Sequence, residues 1–282
     1  MAAPADAEQP QARWDAGTVM SVRRVLQAGF MVGRKDIAIF WWNWKVWLTT
    51  WILRIVTSAA TWILLGRLIG SEERVYFLLI GNAVIVGPQA AGWVVSSSTW
   101  DRFDGTYPML VVAPTSLAPA MIGRTSIWLI NGILTSLATF AILVTLFRFP
   151  LRMPDALFAP LIVAVVCASS YGFSLFIGSF VIRIPSTRNI VHNLATTMLT
   201  AFCGVSVPIA FWPGWVQTVT TILPVTHGLQ SMRLLLNGGS PAAIVSGVLF
   251  EAAVGLAWLT LGILTMDRMA DRGRRDGSIE FV

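Results

Sequence analysis

Six long apolar runs constrain the fold of this 282-residue chain more than any other feature. A helix that spans the hydrocarbon core of a bilayer needs about 20 mostly apolar residues. Only 12% of the residues are charged, against about 25% in a typical soluble domain, which is too little charge to cover a water-soluble globule. The sequence therefore predicts an all-α integral membrane protein with six transmembrane helices. The runs lie at about residues 46–69, 75–95, 125–147, 156–182, 189–210 and 242–266.

Cysteine content and net charge exclude two further classes of protein. Cys167 and Cys203, the two cysteines, both lie inside apolar runs, which excludes a disulfide framework and a cysteine-based zinc site. The net charge of +6 would suggest nucleic acid binding in a soluble chain. Here the basic residues flank the apolar runs, so we expect membrane lipids, and no nucleic acid, as partners.

The distribution of basic residues predicts the orientation of the chain. With the N-terminus placed inside, fourteen lysines and arginines fall on cytoplasmic segments and five on external ones. Arg54, inside the first run, is the remaining one. Because cytoplasmic loops carry an excess of Lys and Arg, we predict a multi-pass protein of the cell membrane (inner or plasma membrane) with both termini cytoplasmic.

The segment before the first run has two parts. Residues 1–18 are polar and rich in Ala, Pro and Gln, which predicts a disordered cytosolic tail rather than a signal peptide. From 19 to 44, apolar residues such as Val22, Leu26 and Phe30 recur at helical spacing among basic ones. This pattern favours an amphipathic helix in the membrane interface; the alternative is an ordinary flanking linker.

The longest internal loop separates the second and third runs, and only this loop is large enough for a small folded element. Ser98 or Thr99 is a candidate N-cap for a short helix whose first turn carries Asp101 and Asp104. Gly105 is the candidate for ending that helix. The alternative is a solvated linker whose charges only keep it in water.

Proline and glycine interrupt the apolar stretch 203–240, so it cannot be one clean span. Both of its ends lie outside if six spans are right. This predicts a re-entrant hairpin of two short helices at 211–237 on the outer face, a structure tolerated only when buried in protein or facing water. Beyond the last run, we expect residues 267–282 to form a cytosolic C-terminal tail.

Polar and ionisable residues inside the predicted spans are candidates for function. Arg54 lies near enough to the inner interface to extend toward it. Glu251 lies in the outer half of the last span, where a carboxylate must be protonated, paired or hydrated, and contact with the hairpin is the predicted solution. Five polar residues of the second and fifth spans either join helices by hydrogen bonds or line a translocation path: Asn82, Asn193, Thr196, Thr197 and Thr200.

The sequence contains no catalytic constellation and no metal site. HExxH, GxSxG and paired carboxylates are missing, and so is the phosphate loop GxxxxGK[ST]. We therefore expect a protein that is not an enzyme and that holds no cofactor of its own. If a nucleotide drives transport, the ATPase is another polypeptide.

Two stretches resemble the type-2 ABC-transporter permeases. The loop W-D-R-F-D-G-T-Y-P-M-L-V-V-A-P-T matches the family's acidic–basic cluster, followed by Gly-Thr, a hydrophobic pair and Pro. The later stretch contains Pro-x-Trp, Leu-Pro-x-Thr-His and Arg-x-Leu-Leu-x-Gly-Gly, which also match. The resemblance covers about residues 19–266 and is nearest to the drug and lipo-oligosaccharide exporters, such as the daunorubicin-resistance permeases. Pro108 is a departure, since the family commonly has a glutamate at that position.

The resemblance implies a homodimer, or a pair with a paralogous permease, and two copies of a separate ABC ATPase that binds ATP and Mg²⁺. It implies that 19–44 is a connecting helix on the inner leaflet and that 98–112 is a coupling helix seated on the ATPase. The second and fifth spans would face the substrate path at the seam of the dimer. The residues that would couple to the ATPase are Asp101, Arg102, Asp104, Gly105 and Thr106.

The function expected on this basis is ATP-driven export of a hydrophobic or amphipathic substrate, such as a drug, an antibiotic or a glycolipid. Export of a polysaccharide or a lipid-linked glycan stays open. Two readings have less support: an integral membrane enzyme such as a lipid-linked sugar transferase, and a membrane scaffold or ion-coupled carrier, which only Glu251 would favour.

Overall fold

Helices form nearly all of the regular structure. The computed structural model describes residues 21–68, 70–112, 116–146 and 153–276, and no strand occurs in these ranges, which confirms the all-α prediction. Short 3-10 helices cover Pro185–Thr187 and Ile209–Phe211. The α-helices are α1 (Val22–Trp42), α2 (Trp44–Leu68), α3 (Glu72–Ala91), α4 (Val94–Ser97), α5 (Trp100–Phe103), α6 (Tyr107–Val112), α7 (Leu117–Leu146), α8 (Met153–Val181), α9 (Arg188–Phe202), α10 (Gly214–Thr220), α11 (Thr226–Leu236) and α12 (Pro241–Asp276).

Five stretches of helix within the described ranges are long and apolar enough to cross a membrane, which confirms the membrane class but not the count of six. The predicted span at 189–210 is not among them. There, α9 ends at Phe202 after 15 residues, or about 22 Å. Gly204 (φ +79°) and Pro208 follow, and they prevent the helix from continuing although the sequence stays apolar. The five are Trp44–Leu68, Glu72–Phe103, Leu117–Thr145, Leu157–Val181 and Pro241–Arg272.

Although it is short, α9 connects the two ends of the helical bundle and runs in the opposite direction to α3. At its start, the Arg188 guanidinium lies 4.2 Å from the centre of the Phe103 ring, at the end of α5. Just after its end, the Gly204 carbonyl accepts a hydrogen bond from Arg233. Arg233 also donates to the carbonyl of Phe77, near the start of α3. The segment 188–204 therefore lies beside the helical stretch from about Gly81 to Phe103 and runs antiparallel to it.

Glycines allow α1 to pack closely on α7. A Cβ on Gly33 would collide with the carbonyl oxygen of Arg124, and a Cβ on Gly123 would collide with that of Leu26. Gly29 meets the α7 backbone in the same way one turn earlier. Small residues of this kind let two helix backbones approach each other, which is the usual basis of helix packing in membranes.

The peripheral segments only partly follow the prediction. A helix is confirmed within 19–44, where α1 ends and the chain turns at Asn43 before α2. Its position in the membrane interface stays a prediction. The last helix continues to residue 276, so the first part of the expected tail at 267–282 is helical, since no proline interrupts the helix after Pro241. The predicted tail at 1–18, like residues 277–282, lies outside the described residues.

Two short helices, α10 and α11, lie within the range of the predicted hairpin. They contain 7 and 11 residues, or about 10 and 16 Å, too short to cross a hydrocarbon core of about 30 Å. Pro213 precedes α10, and Pro224 lies in the turn before α11. The interruption of the helix at both prolines is confirmed. The re-entrant position of the hairpin at the outer face stays a prediction.

Candidate functional site

The loop at 98–112 contains two short helices, α5 and α6, but its first helix is not capped as predicted. Thr99 occupies the N-cap position, yet its hydroxyl donates to the Ser96 carbonyl (2.8 Å) rather than to a helix N–H. The Ser98 hydroxyl likewise donates to the Val95 carbonyl (2.8 Å). The backbone is helical at both residues, because the chain runs from α3 to α5 almost without interruption, and a hydroxyl in that setting bonds back to the preceding turn.

Gly105 ends α5 as predicted. Its φ of +68° is a left-handed conformation that glycine adopts without steric cost, and the chain reverses there into α6. The Thr106 N–H donates to the Asp101 carbonyl (2.9 Å), which closes the turn. Asp104 follows the helix instead of lying in its first turn, so only Asp101 has the predicted place in that turn.

Arg124, in the second turn of α7, is the centre of the charged residues around this loop. Its side chain is only 6% exposed. Its Nε donates to Asp36 Oδ2 of α1 at 2.8 Å, and its Nη1 contacts Asp101 Oδ1 of α5. Its Nη2 lies 3.8 Å from Asp104 Oδ2. We call these four side chains the Arg124 network; it joins α1, the 98–112 loop and α7.

The three carboxylates of the Arg124 network differ in burial. Asp101 is nearly inaccessible, and the Thr106 hydroxyl donates to its Oδ1 at 2.9 Å. Asp36 is 21% exposed and Asp104 is 63% exposed. A buried charge is tolerated only when it is paired and hydrogen-bonded. The Arg124–Asp101 contact is therefore the one on which the position of the loop depends most, whereas Asp104 is free to contact another molecule.

Apolar and cationic side chains complete the surface of the loop. Phe103 is 61% exposed and Met109 is 75% exposed, so both side chains are open to contact with another molecule. The Arg102 guanidinium lies 4.4 Å from the centre of the Tyr107 ring and so stays against the loop. The exposed side chains of the loop thus include one carboxylate, Asp104, and two apolar groups, Phe103 and Met109.

Sequence reasoning missed Arg124 and Asp36. Arg124 directly precedes the third apolar run and Asp36 lies in the segment 19–44, and these positions alone indicate no site role for either residue. The two residues are 88 positions apart, so no local spacing indicates their pairing. The signal that was available is a carboxylate in an otherwise basic helix, facing the same glycine-rich stripe that packs on α7.

Glu251 is completely buried and contacts the hairpin, as predicted. Its Oε1 accepts the N–H of Val225 at 2.7 Å. Its Oε2 accepts the N–H groups of His227 at 3.1 Å and of Gly228 at 3.0 Å. These are donors of the first turn of α11, which have no partner within the helix. The carboxylate from α12 therefore caps α11 and fixes the hairpin to the last helix.

Arg233, in the last turn of α11, holds the other end of that helix. It donates from Nη1 to the Gly204 carbonyl (2.8 Å), and from Nη2 to the carbonyls of Phe77 (3.2 Å) and Val205 (3.3 Å). Its guanidinium lies 3.5 Å from the centre of the Phe77 ring. The hairpin is thus held by a buried acid at one end of α11 and by a mostly buried base near the other.

The polar residues predicted to line a path do not share one surface. Asn82 of α3 is buried, and its Oδ1 accepts the hydroxyl of Ser58 from α2 at 2.8 Å. On α9, Asn193 and Thr197 are exposed. The neighbouring Thr196 and Thr200 are half-buried, and their hydroxyls donate to carbonyls of their own helix. Four of the five residues therefore lie on α9, and Asn82 lies elsewhere and joins two helices.

Comparison with known families places these residues in a wider context. The family model for the ABC-2 type transporter matches residues 27–237. Comparisons with curated proteins and with solved structures give no match. The matched range contains the Arg124 network, the 98–112 loop and both helices of the hairpin.

Proposed function

Because the chain belongs to the ABC-2 type transporter family, and is therefore the multi-pass permease subunit of an ABC transporter, we propose that it works in export and is driven by a separate ATPase. The sequence has no GxxxxGK[ST] phosphate loop, so ATP and Mg²⁺ bind to that partner. Two ATPase copies act on two permeases, which are either identical or paralogous. The permease itself moves the substrate and catalyses no reaction.

The Arg124 network is the observation that supports coupling through the 98–112 loop. A displacement of α5 reaches α7 through the buried contact between Asp101 and Arg124, and it reaches α1 through Arg124 and Asp36. The two helices also interlock through glycines, so they move together. A solvated linker would not need a buried ion pair to hold it against the bundle. The loop is therefore the coupling element.

The exposed side of the loop is the surface that meets the ATPase. Phe103 and Met109 supply the apolar contacts, and Asp104 supplies a charge. Arg102 and Thr106 shape the loop from within, through the Tyr107 ring and the Asp101 carboxylate. Some residues of the loop thus contact the ATPase, and others hold those contacting residues in position.

The substrate is hydrophobic or amphipathic, as a drug, an antibiotic or a glycolipid is. Support comes from α9, where the exposed polar pair Asn193 and Thr197 lies beside the exposed apolar side chains of Leu194 and Met198. Such a mixed face suits a molecule with polar and apolar parts. Thr196 and Thr200 contribute to the same face, and Asn82 supports the neighbouring helices.

Both termini lie in the cytoplasm of a cell whose plasma or inner membrane holds the protein. This orientation rests on the asymmetry of the basic residues and requires an even number of crossings. The five long helical stretches supply five. We assign the sixth to the segment 188–204, in which α9 covers about 22 Å and the residues after it extend further, because this segment runs from the loop end of the bundle to the hairpin.

Affinity purification of the tagged permease from its native membrane tests this function. We expect an ABC ATPase to co-purify and the complex to hydrolyse ATP. Phe103→Ala should weaken the association at least tenfold. Phe158→Ala, which truncates an equally exposed phenylalanine on α8, should leave it unchanged. Purification without an ATPase, or equal behaviour of the two variants, would contradict the proposal.

A further inference from the structure

A polar stripe follows one side of α2, the first long helix. Thr50, Arg54, Thr57 and Thr61 are spaced four, three and four residues apart, which places them on one helix face. All four are exposed. We call them the α2 stripe.

The rest of α2 shows that the stripe faces away from the bundle. Ile55 and Ala59 are fully buried, and Ser58 donates to Asn82 of α3. These residues define the packed side of the helix, and the α2 stripe lies on the other side. Among the described residues, no acceptor lies within hydrogen-bond or ion-pair distance of the Arg54 guanidinium.

Arg54 lies deep in the predicted span. It is ten residues from Trp44 and fourteen from Leu68, or about 15 Å and 21 Å from the two ends of α2. An arginine near the centre of a membrane helix costs about 2.5–3.5 kcal/mol on insertion scales, and such residues face a partner or a water-filled path. An unpartnered guanidinium at this depth therefore indicates a site whose anion comes from elsewhere.

A second copy of the chain cannot supply that anion from its spans. The six apolar runs contain one acidic residue, Glu251. Its two carboxylate oxygens already accept three backbone N–H groups, and it is completely buried. The nearer interface, at Trp44, lies about 15 Å from the Arg54 backbone along the helix, so only a fully extended side chain approaches the headgroups there. The anion that meets Arg54 is therefore either the headgroup of a resident lipid or a group that is crossing the membrane, and the experiment below separates these two sources.

We propose that the α2 stripe binds the anionic group of an amphipathic substrate during its translocation, an inference that rests on the proposed export function. The guanidinium offers several donors in a planar fork that fits a carboxylate, phosphate or sulfate. The Thr50 and Thr61 hydroxyls donate to backbone carbonyls, so Arg54 supplies the main donors of the site. Exposed Leu53 and Leu64 flank the stripe and suit the apolar part of the molecule.

Binding to the permease alone provides the test. The full-length permease is placed in nanodiscs of phosphatidylcholine, and the binding of radiolabelled dodecyl phosphate is measured against empty nanodiscs. Dodecyltrimethylammonium serves as a cationic competitor with the same tail. We expect saturable binding that Arg54→Gln weakens at least tenfold and that Arg54→Lys weakens less. The cation should not compete.

Matched controls separate the α2 stripe from general attraction to positive charge. Arg67→Gln removes an exposed arginine at the far end of the same helix and should leave binding unchanged. Thr57→Val should weaken binding a few-fold. Equal binding to wild type and Arg54→Gln, or competition by the cation, would overturn the proposal. Loss of the signal when phosphatidylglycerol is added to the nanodisc would assign the site to resident lipid and would equally overturn it.

The same preparation with the co-purified ATPase separates this inference from the proposed function. Dodecyl phosphate should stimulate ATP hydrolysis, with a half-maximal concentration at least tenfold higher in Arg54→Gln. An Arg54-dependent binding site without any associated ATPase would refute the export function and leave the anion site standing. Dodecanol serves as an uncharged probe with the same tail. Equal stimulation of ATP hydrolysis by dodecyl phosphate, dodecyltrimethylammonium and dodecanol would refute the anionic specificity and leave the export function standing.

Discussion

Arg124 provides the sharpest quantitative test of the structure, through its unequal contacts with three carboxylates. Arg124→Leu removes the guanidinium and leaves the nearly inaccessible Asp101 without its cation. Removal of one partner from a buried pair costs about 3–5 kcal/mol. The Thr106 hydroxyl still donates to Asp101 in this variant. We therefore expect the free energy of unfolding to fall by about 3 kcal/mol, the lower end of this range.

Double-mutant cycles with each aspartate resolve the individual contacts. The coupling energy with Asp101→Asn should be the largest, at about 3 kcal/mol. That with Asp36→Asn should be about 1.5 kcal/mol, since this pair has a hydrogen bond of 2.8 Å but partial exposure. The coupling energy with Asp104→Asn should stay below about 1 kcal/mol, because Arg124 Nη2 and Asp104 Oδ2 are 3.8 Å apart and the carboxylate is mostly exposed to water.

The assay is the unfolding of the purified permease in mixed micelles by titration with dodecyl sulfate, followed by circular dichroism. Arg183→Gln, at an exposed arginine after α8, is the control and should change the unfolding free energy by less than about 0.5 kcal/mol. A coupling energy with Asp104 that equals or exceeds the one with Asp101 would refute the geometry. So would an Arg124→Leu variant as stable as the wild type.

Three further predictions follow from other parts of the structure. Glu251→Leu leaves three N–H groups at the start of α11 without their acceptor and should lower the free energy of unfolding by about 3 kcal/mol or more, against about 1 kcal/mol for Glu251→Gln, in the same assay. Equal effects of the two variants would show that the carboxylate does not cap the helix. Gly33→Val drives a side chain into the α7 backbone and should cost about 1–3 kcal/mol, whereas Gly214→Val, at a position with open space, should cost much less; a tolerated Gly33→Val would contradict the α1–α7 contact. A cysteine at Ser71 should react with an impermeant maleimide from outside intact cells and one at Ser21 should not; equal labelling would refute the orientation.

Local chemistry made much of the fold predictable. Apolar runs of bilayer length identified the long helices, because a membrane leaves the backbone few other ways to satisfy its polar groups. Pro213 and Pro224 located the hairpin, since proline has no N–H and obstructs the preceding turn. Gly105 located the turn after α5 for a similar reason, because the left-handed conformation favours glycine.

The failures share a different cause. Thr99 is a residue type that is common at N-caps, but it does not cap α5, because the helical backbone before it continues into that helix. The residue types alone do not show that the two helices are continuous. The apolar pattern did not predict the end of α9 at Phe202, because the residues that follow are also apolar. The chain leaves the helix at Gly204, which has a positive φ. Hydropathy therefore marks where a chain is buried more reliably than it marks where a helix ends.

The candidate site was only half predictable. The charges of the 98–112 loop predicted a folded functional element there. Its main contact, however, is with Arg124, which lies on another helix. Glu251 was predicted to contact the hairpin because a carboxylate at that depth requires donors, and the N-terminus of α11 supplies them. Pairing between distant segments depends on the packing of α1 on α7, and a single sequence does not contain that information directly.

Coupling through the 98–112 loop is the central claim, and one double variant tests it most directly. Asp104→Ala with Gly105→Val removes an exposed charge and forces a branched side chain into a left-handed turn, while the contacts of Arg124 with Asp36 and Asp101 remain. The measurement is substrate export from cells, with the amount of permease in the membrane determined in parallel. We predict normal membrane insertion with export reduced at least tenfold. Export at the wild-type level with an equal amount of protein would show that the loop is only a linker.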